Sequence, residues 1–257
     1  MGCVTCLGTG DPLNGERAQT SLAIPLSGSE TMLIDASSGT VLLKQLEAAN
    51  VALESLRHLF LTHRHFDHAG GLAPLLTALA AVPDASITVH ATPPTLAALR
   101  GLLELTIPGV EGWLGKRLLW HTLVPGKPTT AGDAQVVPFA VDHGLDSVGF
   151  RIEQGSSTMV FAADTQPCLG VVEYARGVEL LVHEVYGPED DAKQAHALGH
   201  STAAEAGRVA REAKVGRLVL THFRSARFVD PRKLTAVASP AFGGPVMAAR
   251  DLDGFGF

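Results

Sequence analysis

Within six residues the chain carries three imidazoles and a carboxylate, in the order His63-Arg64-His65-Phe66-Asp67-His68. An apolar run from Leu56 to Leu61 leads into this stretch, so a strand must deliver it. His63 and His65 sit two apart, and in extended backbone such residues point to one side. Asp67 and His68 follow where the chain starts to turn, and they can face a second centre. Four groups this close cannot all reach one small cation without strain, so two adjacent metals explain the crowding better. Imidazole and carboxylate suit zinc, and also iron or manganese where oxygen ligands increase. A solvated polar loop is the plain alternative. The Gly70-Gly71 pair and a helical pattern after it argue for a strand–loop–helix setting instead.

The rest of the chain alternates strands and helices. Val4 to Leu7 reads as a strand, and Ser21 to Pro25 with Thr31 to Ile34 as a hairpin. Gly39 to Ala49, Leu72 to Ala81 and Pro93 to Leu105 have helical spacing. Pro108 to Lys116 is glycine-rich and is expected to form an irregular rim loop over a site, with Trp113 as a lining residue. Short strands are expected at Leu119 to Leu123, Gln135 to Val141, Val148 to Ile152, Met159 to Ala162 and Gly177 to His183. Thr202-Ala203-Ala204-Glu205 is a capping box that opens a helix through Lys214, and Gly216 is expected to end it. The strand Leu218 to His222 then echoes Leu59 to His63, each an apolar run ending in Thr-His. This mixture predicts two packed sheets with helices outside, and no linker divides the 257 residues.

Three more potential ligands stand where strands should end: His143, Asp164 and His222. Together with the cluster they complete two metal shells, with Asp164 available to bridge. Such a pair, roughly 3.5–4 Å apart, can share a hydroxide and lower its pKa toward neutrality. Asp67 can then orient the water or take its proton. Asp35 and Glu184 are candidates for fixing the imidazoles from behind.

Composition removes several classes. No apolar run approaches the ~20 residues needed to cross a bilayer, so no membrane partner is expected. Met1-Gly2-Cys3-Val4 lacks the layout of a secretory signal, and a cytoplasmic setting is expected. Cys3, Cys6 and Cys168 cannot make a disulfide framework, and Cys3-x-x-Cys6 is expected to be a pair of buried thiols in a strand. A net charge of −6 argues against a large polyanion held by the whole surface. One basic stretch, Arg208 to Lys233, is the local exception.

His-x-His-x-Asp-His after a strand resembles the signature of the metallo-β-lactamase superfamily of metal-dependent hydrolases. The resemblance implies an α+β fold, a four-layer αββα sandwich, as one domain over residues 1–257. It puts His63, His65 and His143 on one metal and Asp67, His68 and His222 on the other, with Asp164 spanning both. Two divalent ions are implied, zinc first, with manganese or iron as alternatives. Leu7-Gly8-Thr9-Gly10, Ala163-Asp164-Thr165, His183-Glu184-Val185, Gly199-His200-Ser201-Thr202 and Leu220-Thr221-His222-Phe223 look like the ribonuclease Z branch. By that similarity His200 is a non-ligand histidine that meets the phosphate or protonates the leaving oxygen, and Glu184 holds it in orientation.

Ribonuclease Z enzymes carry a tRNA-gripping arm between the positions matching His143 and Asp164, and here twenty residues separate them. The arm is missing. The expected activity is therefore hydrolysis of a small phosphodiester, a cyclic nucleotide among the candidates, as in arm-less phosphodiesterases and arylsulfatase-like relatives. The alternatives are an arylsulfatase-like esterase, tRNA 3′ processing through Arg224 and Arg227, and a metal-bound sensor without turnover. Asp67 argues against the sensor, because binding alone needs no base there. A homodimer is also implied by the resemblance.

Overall fold

The apolar runs that end in polar, chemistry-bearing residues fold as strands of two facing sheets. In the computed structural model, which describes residues 2–144, 146–225 and 230–257, the first half builds one sheet. Its strands are β1 (Cys3–Gly8), β2 (Ser21–Pro25), β3 (Thr31–Ile34), β4 (Leu56–Phe60), β5 (Ile87–Ala91) and β6 (Leu118–Thr122). The second sheet holds β7 (Thr129–Ala131), β8 (Ala134–Ala140), β9 (Val148–Gln154), β10 (Ser157–Phe161), β11 (Leu180–Glu184), β12 (Arg217–Thr221) and β13 (Val246–Ala248). A last strand, β14 (Gly254–Gly256), returns to the first sheet and pairs with β1. The sheet orders are β14-β1-β2-β3-β4-β5-β6 and β13-β12-β11-β10-β9-β8-β7.

Each sheet is mixed in the same way. Antiparallel pairing prevails from β14 to β3, and parallel pairing from β3 to β6. In the second sheet β10 to β13 are parallel and β7 to β10 antiparallel. The expected hairpin of β2 and β3 forms as read, with Leu22 opposite Ile34.

The core lies in three apolar layers. Ile24, Met32, Ile34 and Phe60 meet Phe150, Ile152, Met159 and Phe161 between the sheets. On the outer face of the first sheet, Leu33, Leu59 and Val89 pack beneath α1 (Val41–Ala48), α3 (Leu72–Ala80), α4 (Pro93–Thr106) and α5 (Val110–Leu114). On the second, Leu181, Leu218 and Leu220 lie beneath α6 (Leu169–Tyr174), α8 (Ala203–Ala213) and α9 (Pro231–Phe242). Helix, sheet, sheet, helix is the expected four-layer αββα sandwich. The short helices α2 (Phe66–Ala69) and α7 (Ala192–Ala197) belong to the rim of the site. No helix among the described residues is long and apolar enough to cross a membrane.

Three local expectations fail. Pro108 to Lys116 is not an irregular rim loop: Val110 and Leu114 bury into the outer layer as part of α5, and Trp113 is exposed on it, away from the site. Apolar residues four apart make a helical turn despite the glycines on either side. Helix α8 opens with the capping box as read, but Lys214 ends it in the left-handed region, φ 55°, and not Gly216. Cys3 is exposed and Cys6 buried, because residues three apart in a strand face opposite sides.

Candidate metal centre

The polar residues converge because five strands end on one side. β4, β10, β11 and β12 carry their carboxyl ends toward a common cleft, and β8, two antiparallel steps from β10, runs the same way. From β4 the chain continues through Thr62 to His65, whose extended backbone (φ −60°, ψ 149°) caps α2. That turn sends His63 and His65 to one side, and Asp67 and His68 on α2 to the other. Gly71 allows it: a Cβ there would overlap the Ala36 carbonyl oxygen. Asp35, Ala163 and His222 take positive φ of 58°, 57° and 59° at the ends of β3, β10 and β12. Such backbone costs of order 1–3 kcal/mol per residue and persists where the surroundings over-determine it.

All seven residues singled out as ligands meet there. His63 Nε2 is 2.9 Å from His65 Nδ1, which is 3.3 Å from His143 Nε2. Asp67 Oδ2 is 3.3 Å from His68 Nε2 and 3.2 Å from His222 Nε2. Asp164 Oδ2 stands between the two groups, 3.2 Å from His68, 3.4 Å from His222, 3.6 Å from His143 and 4.0 Å from His63. These are two clusters that can each hold a metal ion, His63-His65-His143 and Asp67-His68-Asp164-His222. Only His65 is exposed.

Their backs are held. His68 Nδ1 donates to Asp35 Oδ2 at 2.7 Å, and Thr62 N donates to Asp35 Oδ1 at 2.8 Å. Thr62 Oγ1 lies 3.0 Å from His63 Nδ1, linking that ring to the same carboxylate. His143 Nδ1 donates to the Gly199 carbonyl at 2.8 Å. Gly199 has φ +78°, and a Cβ there would come 2.9 Å from His143 Nδ1. Asp35 thus takes the orienting place expected of it. Thr62 and Gly199 are additions: one is a hydroxyl inside the motif, the other a backbone carbonyl that no side-chain pattern announces.

Electrostatics tests whether cations fit. With Nδ1–H given to Asp35, His68 turns its buried Nε2 toward two carboxylate oxygens, and that atom has no hydrogen-bond partner among the described residues. A lone pair facing two anions calls for positive charge. Without metal a proton meets the need: although burial opposes it, Asp164, Asp67 and Asp35 raise His68 well above the usual histidine range. His222 is raised against burial by Asp164 and Asp67. Burial pushes Asp164 up, but His222 and His68 outweigh it and hold that carboxyl well below its ordinary value. Asp67 is lowered in the same manner, chiefly by His68 against burial. His63 lies well below its usual range, through burial and then through His68. Three imidazoles beside two imidazoles and two carboxylates make a donor set suited to two divalent cations.

His200 completes the site without belonging to either cluster. Its Nδ1 lies 3.1 Å from Glu184 Oε1, which also accepts from Ser201 N at 2.9 Å and Thr165 N at 3.2 Å. Burial disfavours its charge, yet Glu184 and then Asp164 push its pKa up to about 9. The ring lies 4.9 Å from that of His143 and 5.4 Å from that of His222. It is close enough to His143 and Asp164 to join them in a three-donor group.

A cavity of about 400 Å³ opens onto Asp67, Asp164, His200 and His222. Asp11, Leu13, Tyr186, Leu198 and Arg224 form its rim, and Tyr186 was not singled out from the sequence. The Arg224 guanidinium sits 4.4 Å over the Tyr186 ring, and Arg224 Nη1 lies 3.7 Å from Asp191. Arg227, the second basic residue expected near a phosphate chain, lies outside the described residues. A larger cleft of about 660 Å³, among Arg17, Arg232 and Met247, holds none of these donors.

The sequence pattern described as "Beta-lactamase superfamily domain" matches residues 30–223. A ribonuclease Z of Mycolicibacterium paratuberculosis is 30% identical over 273 aligned positions, covering 97% of this chain and 96% of that protein. Among solved structures, the metallo-β-lactamase fold protein YhfI from Bacillus subtilis is 25% identical with a TM-score of 0.83, covering 99% of each chain. Human tRNase Z, short form, is 22% identical with a TM-score of 0.79, covering 98% of each chain, and shares the fold.

Proposed function

Because the chain belongs to the metallo-β-lactamase superfamily of metal-dependent hydrolases, in its ribonuclease Z-like branch, we propose that it is a dinuclear phosphodiesterase acting on RNA. The observation that carries the dinuclear part is the position of Asp164 Oδ2, 3.2 Å from His68 in one cluster and 3.6 Å from His143 in the other. His63, His65 and His143 would hold one ion and Asp67, His68 and His222 the second, with Asp164 within reach of both. Zinc is the proposed ion, since imidazole is the majority donor; manganese and iron tolerate the same set. RNA is favoured by relatives named ribonuclease Z that align over 97% of the chain. This reverses the order expected from the sequence, in which a small phosphodiester came first, an arylsulfatase-like esterase next and tRNA 3′ processing after it.

Two divalent cations held here would supply Lewis-acid chemistry, activating water and offsetting charge on the phosphoryl oxygens. The protein does the rest. Asp67, on the cavity wall between His68 and His222, orients the water and accepts its proton. His200, whose pKa Glu184 raises, is placed to donate to a phosphoryl oxygen or protonate the leaving alkoxide. Glu184, buried and anchored by Ser201 N and Thr165 N, fixes the ring and its tautomer. A cytoplasmic setting and a homodimer go with this reading.

One observation favours a small phosphodiester as the second reading. His143 and Asp164 are separated by β9, β10 and a turn at Gly155 and Ser156, with no space for a gripping arm. An arylsulfatase-like ester and a sensor without turnover find no comparable support.

Zinc- or manganese-loaded protein should be assayed on precursor tRNA, bis-p-nitrophenyl phosphate, p-nitrophenyl sulfate and a lactone. Cleavage of precursor tRNA and of the phosphodiester, with the sulfate and lactone left intact, is expected. Turnover of the small phosphodiester alone would restore the second reading, and no ester hydrolysis with both metals present would leave a sensor.

A further inference from the structure

A second group of histidines lies apart from the site. His58, His90 and His121 stand on three neighbouring parallel strands, β4, β5 and β6, with His90 directly opposite His121 in register. Their rings touch nitrogen to nitrogen. His58 Nδ1 is 3.0 Å from His90 Nε2, and His90 Nδ1 is 3.1 Å from His121 Nδ1. The middle ring stacks on Phe60, with centroids 4.1 Å apart and planes 4° from parallel, and is 3% exposed. β6 is the edge of its sheet, and His121 is exposed there.

We propose that His90 and His121 form a separate cation site on this edge, taking one borderline-soft divalent ion such as zinc, with His58 orienting His90. Two nitrogens at ~2.0–2.1 Å from one ion stand about 2.9 Å apart at a right angle and about 3.4 Å apart in a tetrahedron. The observed 3.1 Å falls between these limits. The third histidine supplies what a ligating imidazole needs from behind, an acceptor for its other N–H, and His58 Nδ1 is in that place. Stacking on Phe60 holds the plane of His90 against rotation. Burial and the neighbouring His58 and His121 push His90 down to about 3, so protonation does not compete with a cation there near neutral pH.

Without an ion the three rings satisfy one another by hydrogen bonds. Loading requires His121 to carry its proton on Nε2, so that both Nδ1 atoms face the ion, and no proton is released. Access comes from the exposed edge, and solvent fills the remaining coordination positions.

The test is zinc binding by untagged, metal-loaded protein in equilibrium dialysis, with wild type compared to His121→Ala and His58→Phe. Wild type should bind one equivalent more than His121→Ala, more weakly than the rest, while hydrolysis of bis-p-nitrophenyl phosphate is the same in both. His58→Phe should keep the extra equivalent with about 10–100-fold weaker affinity. Identical isotherms for wild type and His121→Ala would overturn the site. Because the readout is a difference between variants, it stands whatever the phosphodiesterase assays return.

Discussion

Asp35 Oδ2 accepts from His68 Nδ1 at 2.7 Å, and the same carboxylate accepts from Thr62 N and from Thr62 Oγ1. One buried side chain therefore sets the orientation of His68 directly and of His63 through the threonine hydroxyl. Asp35 itself is held at φ 58°. Asp35→Asn should weaken zinc binding about 10–100-fold, as loss of an orienting carboxylate does elsewhere. Competition with a chromophoric chelator measures this; unchanged affinity would remove Asp35 from the site.

His200 is predicted to act on substrate and not on metal. His200→Ala should lower the rate by about 2–3 orders of magnitude, the range for a lost general acid, while zinc content by elemental analysis stays at the wild-type value. Loss of zinc in that variant would make the residue a ligand, as its closeness to His143 and Asp164 would permit.

Glu184 raises the pKa of His200, so removing its charge must lower it. In Glu184→Gln the alkaline limb of kcat/KM should move to lower pH, because this limb reports deprotonation of the acid in the free enzyme. A limb that stays in place assigns it to some other group.

Metal removal exposes the same linkage in stability. In the metal-free protein His200 titrates at about 9, against about 6.5 when unfolded, so the folded state binds the proton more tightly. The resulting stabilisation is fully present below about pH 6.5 and is lost as pH rises through about 9. Urea unfolding of metal-free wild type and His200→Asn should show a larger stability difference at pH 6 than at pH 10. An equal difference at both would contradict the assignment.

The sequence announced the site more clearly than the sheet edges around it. A strand that must end in His63-x-His65-x-Asp67-His68 admits few folds, and Thr202 with Glu205 marks the start of α8 without ambiguity. The echo between Leu59 to His63 and Leu218 to His222 reflects two strands, β4 and β12, that deliver ligands to one cleft from opposite sheets. The edge strands were hidden for a physical reason. Gly254–Gly256 has little intrinsic preference for extended structure and becomes a strand by pairing with Cys3 to Thr5 from the other end of the chain. Helix α9 carries start signals in Asp230, which caps it, and Pro231, which opens it, but Pro240 inside it breaks the helical pattern. Gly199 leaves no side-chain signal, since its contribution to His143 is a carbonyl oxygen, which every residue has.

The most direct test of the dinuclear centre is anomalous diffraction at the zinc edge from crystals of the zinc-loaded protein. Two strong peaks are predicted, one among His63, His65 and His143, the other among Asp67, His68 and His222, with Asp164 reaching both. A single peak in the cleft, or Asp164 turned away from either ion, would contradict it.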